Sequence, residues 1–212
     1  KDQQSARVIA EREDGRSPAL LEIERDDILG PRDAVVATRE HINELNQMYG
    51  LAAVKDNVAN LLEIIKTNVE LEEQEKPVQQ MALNRCFLGP PGTGKTTVAK
   101  LYAKILKSIG LLSKGDVIVK KPADFVGGVL GQSEQNTKSI LEKAKGSVLV
   151  IDEAYGLHAG SGTKDPYREA VIDTIVAEVQ GVPGDDQCVL LLGYQEQMET
   201  MMRDGNPGLA RR

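Results

Sequence analysis

The chain has 212 residues, with 26 Lys+Arg against 32 Asp+Glu and a net charge of −6, which argues against a surface that grips nucleic acid as a whole. Hydrophobic residues make up 41% and aromatics only 3%, with no Trp, so a buried core must be built from Leu, Val, Ile and Ala. Cys86 and Cys188 lie in apolar strand-like runs and read as reduced core thiols of an intracellular protein; no CxxC or Cys/His cluster suggests zinc, and no apolar run approaches the ~20 residues that span a bilayer.

Residues 1–33 are dense in charge and weakly periodic, the composition of a linker or adaptor arm; no signal-peptide core is visible. Ala34–Glu44 reads as helix, which makes 1–44 an N-terminal arm with a helical piece and 45–212 the main domain. Leu45–Leu51 reads as a loop into a second helix from Ala52 to about Leu71, with Val54, Val58, Leu61, Leu62 and Ile65 on one face. Glu72–Pro77 is a solvated linker. Strands and helices then alternate. The spacing predicts strands at Arg85–Leu88, Val117–Lys120, Ser147–Ile151 and Gln187–Leu192. It predicts helices at Lys95–Ser108, from a Ser133 cap to Lys145, at Tyr167–Gln180 up to Gly181, and at Gln195–Arg203. The strand runs are apolar without alternation, as in a parallel sheet buried on both faces, so the fold class is α/β.

Three stretches carry chemistry. Gly89-Pro90-Pro91-Gly92-Thr93-Gly94-Lys95-Thr96, followed by Thr97, fits the phosphate-loop pattern between a strand and a helix. Its glycines let backbone N–H groups turn toward phosphate oxygens, and the helix N-terminus adds partial positive charge. In that pattern Lys95 reaches the terminal phosphates of ATP or ADP and the Thr96 hydroxyl ligates Mg²⁺. Val148-Leu-Val-Ile-Asp152-Glu153 is a buried strand ending in two carboxylates at the edge where open α/β sheets bind ligands. Asp152 would hold Mg²⁺ and Glu153 would act as general base on the attacking water. Asn206-Pro-Gly-Leu-Ala-Arg211-Arg212 is, taken alone, a solvated basic pair. His41 and His158 have no ligand-like partner and read as surface or capping residues. Lys114, Lys120 and Lys121 cluster near the second strand without interleaved aromatics, which reads as a solvated face.

These elements in this order resemble an AAA+ ATPase, a P-loop NTPase with a three-layer α/β/α core and a central parallel sheet of order 5-1-4-3-2. Residues 45–212 are similar to the CbbX/CfxQ type in particular, which takes in the red-type rubisco activases, the stage V sporulation protein K-like ATPases and tandem-module fungal relatives. The likeness is carried by Met48-Tyr-Gly-Leu51 with Val54-Lys55, Asp124-Phe-Val-Gly127 with Gly131, Asp152-Glu-Ala-Tyr155, Leu192-Gly-Tyr194 and Asn206-Pro-Gly208. It implies Tyr49 and Gly50 beside the adenine, and Tyr194 at the tip of the fourth strand, where many relatives place a water-positioning Asn. It implies that Arg211 and Arg212, with Arg212 ahead, form an arginine finger aimed at a neighbour's γ-phosphate. Gly156 to Pro166 matches a flexible second pore loop. A ring homo-oligomer or an array of tandem AAA+ modules follows, acting on a protein partner in the cytoplasm or nucleus, with no membrane and with nucleic acid disfavoured.

The sequence departs from that pattern in places. Val129 stands where the activase-like pore loop carries Tyr, leaving Val129 and Leu130 to grip. The chain stops at Arg212, before the last core strand and the helical lid the resemblance implies. Without strand five, the strand carrying Cys86 becomes an edge beside the strand carrying Cys188, with both expected as thiols. Two rivals stand beside the ring motor. One is a nucleotide-binding scaffold with little hydrolysis, which the missing pore aromatic favours. The other is a nucleic-acid motor or loader, which would need basic or aromatic pore residues.

Overall fold

The computed structural model describes residues 32–79, 82–160, 162–179 and 186–211. The linker reading of 1–31, the helix stop at Gly181 and Arg212 lie outside them. In chain order the elements are α1 (Arg32–Gln47), α2 (Ala52–Glu73), β1 (Arg85–Leu88), α3 (Lys95–Ser108), β2 (Val117–Lys120), α4 (Pro122–Phe125) and α5 (Gln132–Lys143). There follow β3 (Val148–Ile151), a 3-10 turn (Ala154–Leu157), α6 (Pro166–Glu178), β4 (Cys188–Gly193), α7 (Gln195–Asp204) and a second 3-10 turn (Leu209–Arg211). Helix α1 runs past Leu45, expected in a loop, because Leu45 is a core residue only 2% exposed and α1 packs along α3.

The four strands form one parallel sheet in the order β1-β4-β3-β2, with β1 at an edge among the described residues. Cys86 lies opposite Leu191, Leu149 opposite Val189 and Val117 opposite Val148. Side chains alternate across the sheet. Val148, Val150, Cys188, Leu190 and Leu192 meet Leu45, Leu61, Tyr102, Ile105 and Leu106 on the side of α1, α2 and α3. Leu149, Ile151, Val189 and Leu191 meet Ile140, Val171, Ile175, Met198 and Met201 on the side of α5, α6 and α7. The result is the expected three-layer α/β/α core, with burial on both faces complete for the central β3 and β4 and only partial for β1 and β2.

Several expectations are corrected. Ser133 does not cap its helix: α5 starts two residues earlier, from Gly131 in the left-handed region (φ 82), and the buried Ser133 hydroxyl accepts the Gly127 N–H at 3.0 Å. Cys86 is exposed rather than a core residue, because β1 is an edge; Cys188 is buried and its thiol donates to the Leu83 carbonyl at 3.2 Å. The strands are neighbours, yet Cys86 pairs with Leu191, three positions beyond Cys188. An odd offset puts the two thiols on opposite faces, so both stay free. The lysines are not one cluster: Lys114 precedes β2, Lys120 is its last residue and Lys121 follows it, with the strand, roughly 13 Å long, between. His41 Nδ1 and His158 Nε2 are shielded from solvent without a partner among the described residues, so the rings sit half-buried rather than on the surface.

Helix α4 was not legible as a separate element. Pro122 starts it and the Asp124 carboxylate accepts the Lys121 N–H at 2.8 Å, but four residues carry no periodicity. Among the described residues no helix is long and apolar enough to cross a membrane, and no three His, Cys, Asp or Glu side chains gather as metal ligands.

Candidate functional site

The loop from Gly89 to Thr97 leaves the C-terminal end of β1 and turns into α3. Its entry is tied to the neighbouring strand by Gly89 N–H donating to the Gly193 carbonyl at 3.2 Å. Inside it, the Thr93 hydroxyl donates to the Pro90 carbonyl at 2.9 Å. Gly94, at φ 77, is the residue from which α3 starts, and Gly92 sits at φ 76. A Cβ at either would meet no atom within 4 Å, so backbone conformation demands glycine there and the space beside the loop stays open. The N–H groups of Gly92 to Thr97 find no acceptor among the described residues; those of Lys95, Thr96 and Thr97 belong to the first turn of α3, which has none of its own. The Lys95 ammonium is folded back along the loop, donating to the Gly89 and Pro90 carbonyls at 2.9 Å each, and it lies 5.4 Å from the centre of the Tyr194 ring.

Two strands away, β3 delivers the acid pair. Asp152 N–H donates to the Lys120 carbonyl at 2.8 Å, extending the ladder to β2 by one step. Glu153 N–H donates to Asp152 Oδ1 at 3.1 Å. Glu153 itself occupies the left-handed region at φ 55, which is uncommon for a residue with a side chain. That kink ends the strand and opens the 3-10 turn. A cavity of about 410 Å³ is lined by Pro91 to Thr97 on one side and by Asp152, Glu153, Tyr155, Gly193 and Tyr194 on the other. Gly89 and Pro90 face an adjoining hollow with Tyr194. These residues fit a magnesium-bound nucleotide. The unpartnered N–H groups and the Lys95 ammonium suit phosphate oxygens, and the Thr96 hydroxyl with the Asp152 carboxylate offers hard oxygen ligands.

Tyr155 is a site residue that sequence reasoning did not single out. It stacks on Tyr194 with ring centres 5.4 Å apart and planes 26° apart. Loss of water, then the Glu153 carboxylate, then Tyr194 and Asp152, push its hydroxyl above the usual phenol range. Gly193 makes room for it: a Cβ there would lie 2.6 Å from Met198 Cγ and 3.0 Å from Tyr155 Cδ1. The sequence signal for it was its place in the Asp152-Glu-Ala-Tyr155 run that carries the resemblance, to which no role was assigned.

Other predicted residues are not brought to this cavity. Tyr49 and Gly50 (φ 71) lie on the α1–α2 turn, where Tyr49 is fully exposed; Lys55 pins that turn by donating to the Asn46 and Met48 carbonyls. Arg211 ends the second 3-10 turn, exposed and outside the cavity lining. The turn that leads to it is fixed by Asn206, whose amide donates to Asp173 at 2.7 Å and whose oxygen accepts the Gly208 N–H at 2.7 Å. Val129 and Leu130 stand out from the α4–α5 loop at 64% and 85% exposure.

The chain was compared with known proteins. The profile described as "ATPase family associated with various cellular activities (AAA)" matches residues 85–204, the span from β1 through α7. Stage V sporulation protein K of Bacillus subtilis is 37% identical over 174 residues, covering 82% of this chain and 53% of that protein. Protein CfxQ homolog of Pyropia yezoensis is 35% identical over 175 residues, 82% of this chain and 57% of that one. ESX-3 secretion system protein EccA3 of Mycolicibacterium smegmatis is 36% identical over 169 residues, 80% of this chain and 27% of that one. The chain thus spans little more than half, or in the last case about a quarter, of the relatives it matches. With the phosphate loop and the acid pair meeting at the C-terminal edge of a parallel sheet, and with relatives of the CbbX/CfxQ kind, the chain belongs to the AAA family of ATPases.

Proposed function

We propose that the chain binds and hydrolyses ATP with Mg²⁺ as one module of a ring or tandem array, and that it remodels a protein partner. The observation that carries this reading is the convergence of Pro91–Thr97, Asp152 and Glu153 on one cavity. In it, residues 45–212 form the ATPase core and 1–44 the arm. Bound Mg²⁺, held by Thr96 and Asp152, would offset charge on the phosphates. Lys95 leaves the Gly89 and Pro90 carbonyls for phosphate oxygens, and the N–H groups of Gly92 to Thr97 close around them. Glu153 takes the proton of the attacking water, and Tyr194, at the tip of β4, helps position that water. Tyr49 and Gly50 flank the adenine.

Arg211 and Arg212 complete a neighbouring module's site rather than their own, which agrees with Arg211 being exposed and away from its own cavity. The cation stabilises charge on the transferring phosphoryl group. Steady-state ATPase rate against protein concentration tests this, with Arg212→Ala as the control. Specific activity that rises with concentration and collapses in the variant supports the ring motor. Binding without turnover at any concentration rejects hydrolysis by this module alone. A second reading, a nucleotide-locked scaffold, is favoured by one observation: the exposed α4–α5 loop displays the aliphatic Val129 and Leu130 and no aromatic residue with which to grip a chain.

A further inference from the structure

Tyr155 closes the Asp152-Glu-Ala-Tyr155 run and lines the cavity; the reading above gives it no role, yet its ring touches Tyr194. It belongs to the 3-10 turn that begins directly after Glu153, and its ring stacks on Tyr194, 5.4 Å between centres. The Tyr194 ring in turn lies 5.4 Å from the Lys95 ammonium. Lysine, ring and ring therefore form a continuous line from the start of α3, past the tip of β4, to the turn that follows the acid pair. The ammonium has three hydrogens; the carbonyls of Gly89 and Pro90 accept two, and the electron-rich face of Tyr194 is the remaining electrostatic partner. Glycine at 193 is what lets the Tyr155 ring come this close to β4.

Resting on the nucleotide reading above, we propose that Tyr155 is a positioning residue: through Tyr194 it sets where the Lys95 ammonium rests, and the stack reports the lysine's departure toward phosphate to the turn behind Glu153. Tyr155 need touch no nucleotide to do this. Its hydroxyl also interacts with Tyr194, and the role is assigned to the ring face, which Tyr155→Phe keeps.

The chain has five tyrosines and no tryptophan, so near-ultraviolet difference absorbance on adding Mg-ATP to the full chain reads tyrosine surroundings directly. Affinity is measured in parallel by competition with a fluorescent ATP analogue. The parent should give a tyrosine difference signal that Tyr155→Leu and Tyr194→Leu each reduce by at least half and Tyr167→Leu, on α6 and outside the cavity lining, does not. Tyr155→Leu should bind ATP about two- to tenfold more weakly, the range that a lost aromatic pair supports. Tyr155→Phe, which keeps the ring, should bind as the parent does and so separates stacking from a folding defect. Tyr155→Leu combined with Tyr194→Leu should be no weaker than Tyr194→Leu alone. A signal that Tyr155→Leu and Tyr194→Leu leave at the parent's size, parental affinity in Tyr155→Leu, or losses that add in the double variant would each overturn the positioning role while leaving the nucleotide site standing. A parent that binds no ATP overturns both.

Discussion

Ser133 and Gly127 are joined across the root of the α4–α5 loop: the serine hydroxyl oxygen accepts the glycine N–H at 3.0 Å, while the serine carbonyl accepts the Thr137 hydroxyl at 2.7 Å. Two more bonds brace the same loop. Gly128 N–H donates to Gln132 Oε1 at 2.9 Å, and the Asn136 amide donates to the Phe125 carbonyl at 3.3 Å. The segment that displays Val129 and Leu130 is thus fixed by the first turns of α5 rather than by its own backbone. Ser133→Ala leaves the part-buried Gly127 N–H unpaired and should cost about 0.5–1.5 kcal/mol. Hydrogen exchange followed by mass spectrometry should show faster exchange across 126–131, and unchanged exchange there would reject the bracing role.

Gly193→Ala tests the crowding at the tip of β4. The added methyl would meet Met198 Cγ at 2.6 Å, Met198 Sδ at 2.7 Å and Tyr155 Cδ1 at 3.0 Å. Met198 is unbranched and can swing aside; the stacked Tyr155 ring has less freedom. The variant should lose about 1–3 kcal/mol in urea unfolding, the usual cost of overpacking. A parental midpoint would show that the tip has more room than the geometry allows.

Glu153→Gln keeps the shape of the side chain and removes its basicity. In the proposed mechanism, ATP affinity should stay near the parent's while turnover falls by about 100-fold or more, the share that a positioned general base supplies. Equal turnover in parent and variant would remove Glu153 from the chemistry. A loss of binding instead would point to the strained backbone at φ 55 as the sensitive feature.

The strands and the phosphate loop could be read from the sequence because each rests on a local rule, whereas the strand order was only what the resemblance implied. Apolar runs such as Val148–Ile151 exist only where both faces of a strand are covered, and a Gly-rich turn between strand and helix has few other uses. What escaped were contacts between distant residues. Ser133 stood where a cap belongs, but its hydroxyl is spent on Gly127, and Gly131 starts the helix through its backbone alone. Asp165 is the real side-chain cap of α6, accepting the Tyr167 and Arg168 N–H groups at 3.0 and 3.3 Å; the Pro166 that follows it was the available signal. The exposure of Cys86 and the stacking of Tyr155 on Tyr194 depend on which strands are neighbours, which no local pattern states.

Burial pushes the Cys188 thiol up to about 12, with Arg85 pulling weakly the other way. Its usual value in an unfolded chain is about 8.5. Between those values the unfolded chain has lost a proton that the folded one keeps, so the unfolded state binds fewer protons and stability falls as pH rises. The expected slope approaches about 1.4 kcal/mol per pH unit in that window, and Cys188→Ala should flatten it. Tyr102, also raised by burial, contributes a fall of the same sign at higher pH, so the difference between parent and variant is the quantity to measure by urea unfolding from pH 8 to 11. Parallel profiles for the two proteins would reject the assignment.

All four residues of β3 are fully buried and the strand is paired on both sides, with β2 and with β4. A segment held in that way exchanges its amide hydrogens only when the whole domain opens. Asp152 and Glu153 are its next two residues, so the acid pair is anchored to the last part of the molecule to loosen. The rim can breathe at the α1–α2 turn, at Val129 and Leu130, or beyond Leu157 without displacing the carboxylates. A population of molecules that has lost the spacing between the acids and the phosphate loop has, by the same token, already unfolded.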